Sequence, residues 1–167
     1  MTDGRRLETL TRTEALQLLG SVPLGRVVFT HQALPAIRPV NHLLDGNAIV
    51  TRTDGGSALA QSITARGDLV VAYEADMIDH ATQLGWSVIV VGRAGKVEDD
   101  QAAAGYLRKL QPWVSGSFDE VMRIEIEIVN GFRLVGECGE DTGATAASEP
   151  ATAEPATAEP AAPAADA

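Results

Sequence analysis

Apolar and polar residues alternate along several short segments of the chain, a pattern that predicts half-buried β-strands. The clearest case is VMRIEIEIVNGFRLVGE (121–137), in which Ile124, Ile126 and Ile128 are predicted to share one face of a strand or hairpin. Runs rich in β-branched residues and bounded by turn residues predict further strands. These runs are GRVVFTH (25–31), AIRPVNHLLDG (36–46), NAIVTRT (47–53), DLVVAYEAD (68–76) and WSVIVVGRAGKVED (86–99).

Three segments carry helix signals. TRTEALQLLGSVP (11–23) offers Thr11 or Thr13 as the N-cap and Gly20 as the end of the helix. SALAQSITA (57–65) follows two glycines and is predicted to begin at Ser57. DQAAAGYLRKLQP (100–112) has an acidic cap and a proline stop. Six or seven strands with these helices predict a mainly β fold, a closed or nearly closed β-barrel with peripheral helices.

The composition changes sharply near residue 140. Residues 140–167 contain Ala, Thr, Glu and Pro, repeat ATAEP in tandem and lack large apolar side chains. Such a segment cannot offset the entropy of ordering, so we expect one folded domain over 1–139 and a disordered acidic tail over 140–167. The tail holds six acidic and no basic residues, so it accounts for six units of the net charge of −10 and leaves −4 for the domain.

This charge and the apolar pattern exclude several classes of function. A mildly acidic domain lacks the basic surface of a general nucleic-acid binder. No apolar run reaches the length of a membrane span, and the N-terminus is polar, so we expect a cytoplasmic protein with no membrane partner. The single cysteine, Cys138, supports neither a disulfide nor a multi-cysteine metal site.

The strongest candidate for an anion site is Arg52 with Thr53, Gly55, Gly56 and Ser57. Arginine binds phosphate bidentately, and hydroxyl groups add neutral donors. Glycines allow close approach of the backbone, and the amides at the following helix N-terminus favour an anion. The alternative is an ordinary strand, turn and capped helix with a solvated arginine.

A second candidate is the run Arg38-Pro39-Val40-Asn41-His42. Alternation along a strand places Arg38, Val40 and His42 on one face and Pro39 and Asn41 on the other. A flat heteroaromatic ligand against this strand would use backbone groups, and Asn41 can both donate and accept hydrogen bonds. The alternative for His42 is a structural contact between strands.

The three histidines, His31, His42 and His80, are widely spaced and predict no metal site. His31 or His42 could ligate a haem iron, although a histidine near a strand end is weak support. No nucleophile elbow of a serine hydrolase is present.

In order and spacing, several motifs resemble one family. LLGSVPLGRVVF, RPVNHLLDGNAIVTRTDGGS, VVAYEAD, GWSVIVVGRAGKVED and QPWV, spread over about residues 10–135, are similar to the pyridoxamine 5′-phosphate oxidase-like flavin-binding proteins. The resemblance is greatest to a short actinobacterial branch related to nitroimidazole-resistance reductases. It implies a split β-barrel that forms a homodimer, with two FMN sites at the interface between the subunits.

The resemblance also assigns residues to the phosphate of the flavin. The segment that binds it in the family corresponds to Arg52, Thr53, Gly56 and Ser57. The lysine that usually follows is replaced by Ala58, which removes one phosphate-facing cation. This loss would cost about 1–3 kcal/mol of binding free energy.

Further assignments concern the flavin ring. Pro39, Val40 and Asn41 would lie along the isoalloxazine, with His42 after them, and Arg38 would face a substrate or pair with an acidic residue near Asp76. Tryptophan stacks well on a flavin, although packing in the core or an interface is the alternative. The residues expected to border the cofactor are Trp86, Ser87 and Trp113.

The function implied is that of an FMN-dependent oxidoreductase, which transfers hydride between the flavin and a small organic substrate. The sequence identifies no catalytic residue. One alternative is a deazaflavin-dependent reductase of the same fold. A further alternative is a non-catalytic flavin- or haem-binding protein. For the deazaflavin coenzyme, a basic groove would be built from Arg5, Arg6, Arg12 and Arg26.

Overall fold

The computed structural model describes residues 5–110, 113 and 116–136; the predicted tail at 140–167 lies outside them. This part of the chain forms seven strands and three helices. The strands are β1 (Arg6–Thr9), β2 (Leu24–His31), β3 (Leu34–Asp45), β4 (Ala48–Thr53), β5 (Leu69–Asp79), β6 (Leu84–Lys96) and β7 (Glu120–Val135). The helices are α1 (Arg12–Ser21), α2 (Ala58–Arg66) and α3 (Asp100–Lys109).

The strands close into a ring. Neighbouring strands pair antiparallel in the order β1-β7-β4-β3-β2-β5-β6, and β6 also pairs with β7. This additional pairing closes six strands into a barrel, to which β1 is added at β7. Closure satisfies backbone groups that would otherwise form exposed edges. The predicted β-barrel with peripheral helices is confirmed.

Alternate residues of each strand fill the interior of the barrel. Tyr73, Ile49 and Met122 are among the largest side chains that are fully buried there. Helix α1 adds Leu19 to this core, and α2 adds Ile63. Helix α3 instead packs outside the barrel, over a second apolar cluster formed by Val50, Leu110 and Val121. The two faces of β4 therefore lie in different environments.

The starts of α1 and α2 follow the expected caps, whereas the end of α1 does not, and Pro112, the expected stop of α3, lies outside the described residues. Thr11 and Glu14 form a capping box at α1, and Ser57 caps α2. The expectation that Gly20 ends α1 is wrong, because the helix continues to Ser21. The following residue, Val22, is extended because it precedes a proline, which disfavours the helical conformation at that position.

Ile124, Ile126 and Ile128 were predicted to share one face, and this prediction is wrong for Ile128. The pairing of β6 and β7 shifts by one residue, so that Val91 lies opposite Ile128 while Gly92 lies opposite Ile126. The extra residue is Glu127, and it forms a β-bulge. Ile124 and Ile126 are buried, whereas the bulge turns Ile128 to the outside, where it is 53% exposed.

Strand β1 was not predicted, and β7 is one long strand rather than a hairpin. Arg6–Thr9 is short and has no apolar alternation, and it joins the sheet by pairing with residues 132–135 of β7. Within the described ranges, no helix is long and apolar enough to cross a membrane.

Candidate functional site

The barrel opens along a seam between β3 and β4. Strand β3 is long, but only residues 42–45 pair with β4. Residues 34–41 pair with β2 on one side and with no described strand on the other. Where the pairing ends, Thr51 Oγ1 donates to the carbonyl of Asn41 at 2.7 Å. The seam is therefore bordered by residues 34–41 and by the Thr53–Ala58 loop, which leads from β4 into α2.

The direction of the backbone groups shows what the open edge of β3 presents. Each residue of a strand directs both its N–H and its C=O group to one edge, and successive residues alternate between the two edges. The amide of His42 donates toward β2, to Pro23 O at 2.9 Å, whereas the carbonyl of Asn41 faces β4. By this alternation the backbone groups of Ile37 and Pro39 also face the seam. Proline has no N–H to leave unpaired, which explains its place in an edge strand.

Arg38 supplies a cation at this seam. It lies opposite the buried Val27 and so projects from the inner face of the sheet, yet it is exposed because β4 does not extend alongside it. Arg38 has no hydrogen-bond or ion-pair partner among the residues described. The predicted pairing with an acid near Asp76 is not formed, because Arg26 lies 2.9 Å from Asp76 and 3.0 Å from Glu74.

The Thr53–Ala58 loop is held by its own hydrogen bonds. The hydroxyls of Thr53 and Ser57 lie 2.8 Å apart, and Ser57 accepts from the amide of Ala60 at 3.2 Å. The carboxylate of Asp54 accepts from the amide of Gly56 at 2.7 Å. The predicted helix start at Ser57 is confirmed, but the loop uses several of its own donors internally.

Arg52 points away from this loop. As neighbours on a strand, Arg52 and Thr53 project to opposite faces, and Arg52 lies beneath α3. Its Nε donates to Phe118 O at 2.7 Å, and its Nη1 donates to Leu110 O at 2.8 Å and Leu107 O at 3.3 Å. Its Nη2 also donates to the Phe118 carbonyl. The guanidinium thus satisfies the carbonyl end of α3, and four of its five N–H groups are engaged.

Comparison with known proteins identifies the family. The family model for pyridoxamine 5′-phosphate oxidase matches residues 11–133. The chain belongs to the pyridoxamine 5′-phosphate oxidase family. The Mycobacterium tuberculosis protein Rv0080, itself uncharacterized, is 47% identical over 136 residues, which cover 80% of this chain and 90% of that protein.

Two solved structures of similar sequence support this assignment. A Corynebacterium glutamicum protein named for the same family is 31% identical and has a TM-score of 0.63, with 77% of this chain and 98% of that chain covered. The FAD binding protein from Mycobacterium smegmatis is 28% identical and has a TM-score of 0.57, with the same shares covered. The family and the split barrel predicted from the motifs are confirmed.

The family resemblance placed His42 beside a cofactor, and the structure places it in the barrel core. Its Nε2 lies 2.9 Å from the carbonyl of Leu19, which can only accept, so Nε2 carries the hydrogen. Its Nδ1 then accepts from the Tyr73 hydroxyl at 2.8 Å. Burial lowers the pKa of His42 and raises the pKa of Tyr73. Both ring nitrogens are therefore satisfied within the chain, and neither is left for a ligand.

Tyr73 reaches His42 because residue 25 is a glycine. A Cβ at Gly25 would lie 2.4 Å from the Tyr73 hydroxyl oxygen, far inside van der Waals contact. The aromatic rings of His42 and Tyr73 meet edge to face, with centroids 5.2 Å apart. The three residues form one packed unit inside the barrel.

His31, the other histidine considered for haem, has a free ring nitrogen. Ser62 Oγ donates its hydrogen to Ala58 O at 2.7 Å, so it accepts from His31 Nδ1 at 3.0 Å. This leaves His31 Nε2 without a partner in the described part of the chain. An open cavity of about 270 Å³, lined also by Gln32 and Arg66, lies beside it. Haem ligation by His31 stays a prediction.

The aromatic residues expected around the cofactor are dispersed. Trp86 is buried in the barrel core, while Ser87 projects to the outer face of β6. Trp113 is 65% exposed. Their contacts with a cofactor stay predictions.

The arginines proposed for a deazaflavin groove each have a partner in the chain, and use of that coenzyme stays a prediction. Their partners are Gln83 for Arg5, Glu8 for Arg6, Asn47 for Arg12, and Glu74 and Asp76 for Arg26.

Sequence reasoning did not identify Tyr73, Asp54 or Glu120 as important to the site. Tyr73 and Glu120 matter through long-range strand pairing, for which the sequence carried no local signal. Asp54 directly follows Arg52-Thr53, so the sequence did show an acidic residue in the predicted phosphate loop, which argues against phosphate binding there. Across residues 5–110, 113 and 116–136, no group of three or more His, Cys, Asp or Glu side chains is arranged to hold a metal ion.

Proposed function

We propose that the protein binds a flavin along the open edge of β3 and functions as a flavin-dependent oxidoreductase on a small organic substrate. Family membership and the FAD binding relative from Mycobacterium smegmatis support a flavin as the ligand. The observation that carries the proposal is the edge of β3 at residues 34–41, which pairs with β2 on one side and with no described strand on the other.

The chemistry of this edge suits the pyrimidine end of a flavin. That end presents alternating carbonyl and N–H groups in one plane. The edge offers the N–H groups of Ile37 and Asn41 and the carbonyls of Ile37 and Pro39, spaced along one direction. A strand edge that accepts a planar ligand uses the same hydrogen bonds that a further strand would use.

The chain's residues bind and orient the flavin, and the flavin, when bound, supplies the hydride chemistry. Arg38 stands beside the edge with an unpaired guanidinium, suited to an anionic group of the ligand or substrate. No side chain at the seam combines a nucleophile with an adjacent base, so we propose no covalent step. FMN in particular remains a prediction, because Arg52 and the Thr53–Ala58 loop do not form a conventional phosphate site.

The edge can be tested with two variants of Ile37. Ile37→Pro and Ile37→Ala both remove the isoleucine side chain, but only proline also removes the N–H that faces the seam. We expect Ile37→Pro to bind flavin at least about tenfold more weakly than Ile37→Ala, the loss of about one good hydrogen bond. Quenching of flavin fluorescence gives both dissociation constants, and thermal melting checks that both variants fold.

Equal affinities of the two variants would show that the β3 edge does not hold the ring. Failure of the wild-type protein to bind any flavin would overturn the proposed function as a whole. Redox activity needs a separate assay, in which the anaerobically reduced flavoprotein is mixed with small organic acceptors. A bound flavin that no acceptor reoxidises would indicate a binding protein rather than an enzyme.

We further propose that the protein is a homodimer formed through the outer face of the barrel. Five apolar residues lie opposite one another in register across five neighbouring strands and form an outer apolar row. Ile37 and Ile128, at its two ends, are 58% and 53% exposed. The row runs Ile37, Val28, Ala72, Val91, Ile128.

A second copy is the occupant that this surface fits best. A contiguous exposed apolar surface marks an interaction site, and the exposed Val70 and Ile89 on β5 and β6 add to this one. The row ends at Ile37, whose backbone belongs to the open edge. A partner seated on the row would therefore approach the proposed flavin site, as the resemblance implied.

The dimer is tested by placing a charge in the row. We expect Ile128→Glu to convert the dimer into a monomer in light scattering coupled to size exclusion, because a buried carboxylate without a partner is strongly unfavourable. Leu7→Glu, a change at an exposed leucine on β1, is the control that should stay dimeric. A monomeric wild-type protein, or a dimer that survives Ile128→Glu, would contradict this interface.

A further inference from the structure

The Thr53–Ala58 loop, which would receive the phosphate of FMN, is acidic. Asp54 lies within it, and its carboxylate folds back onto the amide of Gly56 at 2.7 Å. Its main-chain carbonyl accepts from the amide of Ser57 at 2.9 Å. Two amides that could have bonded an anion are therefore already engaged by Asp54.

A second carboxylate lies against the same loop. Glu120 pairs with Thr53 across β4 and β7, and its Oε1 would lie 3.0 Å from a Cβ built on Gly55. Lys96 is ion-paired with this carboxylate at 2.8 Å. The ammonium that comes near the loop is thus already neutralised by Glu120.

The cations expected for a phosphate are absent from this loop. Arg52 projects from the opposite face of β4 and donates to the carbonyls of Leu107 and Leu110 at the end of α3. Ala58 stands where the family resemblance expected a lysine. Asp54, Glu120 and Lys96 together carry a net charge of −1, and the unpaired cation of the seam, Arg38, belongs to β3 at its other border. The charges held at the loop itself therefore oppose a dianion.

Resting on the proposed flavin function, we propose that the Thr53–Ala58 loop selects flavins without a phosphate monoester, so that riboflavin or a flavin dinucleotide binds more tightly than FMN. The phosphate of FMN is a monoester that carries nearly two negative charges at neutral pH. Each phosphate of a flavin dinucleotide carries one, and riboflavin carries none. The hydroxyls of Thr53 and Ser57, 2.8 Å apart, can still bond a neutral hydroxyl or a singly charged phosphate.

The test compares the dissociation constants of riboflavin, FMN and FAD for the full-length protein at pH 7.5. We expect FMN to bind at least about tenfold more weakly than the better of the other two. If FAD binds more tightly than riboflavin, the loop tolerates singly charged phosphates. If riboflavin binds more tightly than FAD, the loop favours an uncharged tail. Either result supports the selection, whereas FMN binding as tightly as both would overturn it while leaving the flavin function intact. No binding of any flavin would overturn both.

Charge variants identify the cause. Asp54→Asn, Glu120→Gln and Ala58→Lys should each tighten FMN about tenfold and change riboflavin less than twofold. Asp68→Asn removes the same charge near the other end of α2 and is the matched control, with no effect on the ratio expected. If Asp68→Asn changes the ratio equally, the overall charge of the protein is responsible and the loop is not.

The pH dependence gives an independent readout. The second ionisation of a phosphate monoester has a pKa near 6, so FMN loses most of its second negative charge between pH 7.5 and 5.5. The ratio of the FMN and riboflavin dissociation constants should therefore fall as pH is lowered. A ratio that is constant over this range would indicate exclusion by size, and the charge-based selection would be wrong.

Discussion

Replacing Arg52 with alanine is expected to destabilise the fold by about 3 kcal/mol. The guanidinium donates to the carbonyls of Leu107, Leu110 and Phe118, which close the end of α3 onto β4. Alanine leaves these half-buried acceptors without a donor. Hydrogen bonds that involve a charged group contribute more than neutral ones, and an acceptor left unpaired costs its desolvation. Urea denaturation of the full-length protein, followed by circular dichroism, measures the change.

Arg38→Ala provides the matched control. Both substitutions remove an arginine side chain from neighbouring strands, but Arg38 is exposed and has no partner in the described structure. We expect its removal to change the free energy of unfolding by less than about 0.5 kcal/mol. If Arg52→Ala keeps wild-type stability and loses flavin, Arg52 holds the cofactor as the sequence suggested, and its bonds to α3 are of little consequence.

The elements of the fold could be predicted because their signals are local. The strand GRVVFTH, the turn at Gly46 and the cap at Ser57 depend on residues close in sequence, and each occurs as predicted. Ile128 shows the limit of this reasoning. Its place in the alternating run depends on a bulge that forms only when β7 pairs with β6. The same residue then joins the outer apolar row, which no local pattern could indicate.

The site was less predictable because adjacent strand residues face different partners. Arg52 and Thr53 form one motif in the sequence, but the strand separates them to opposite faces, and α3 covers the arginine. The acidic surroundings of the loop likewise depend on Glu120, which comes from the far end of the domain through pairing with Thr53. Pro39 was more informative, since proline in a strand is confined to an edge, and that edge borders the seam.

Acidification is expected to destabilise the protein through His42. Its pKa is lowered in the folded state, chiefly by burial, so the unfolded chain binds the proton more readily. The stability that neutral His42 contributes is fully present above the unfolded pKa of about 6.5 and is lost as pH falls below it. For one proton the loss is about 1.4 kcal/mol per pH unit, until the folded pKa is reached. The midpoints of urea denaturation at pH 7.5, 6.5 and 5.5 measure this loss of stability.

His42→Gln separates this effect from other titrations. The variant lacks the ionisable ring and should lose most of the decline between pH 6.5 and 5.5, although it starts less stable because the bond to Tyr73 is disturbed. His80→Gln, a change at an exposed histidine, should keep the wild-type decline. The carboxylates of Glu14, Asp45 and Asp79, whose pKa values are lowered in the fold, lose their contribution only at still lower pH. If the decline persists unchanged in His42→Gln, a different group binds the proton on unfolding, and the pair of His42 and Tyr73 is not the acid-sensitive part of the core.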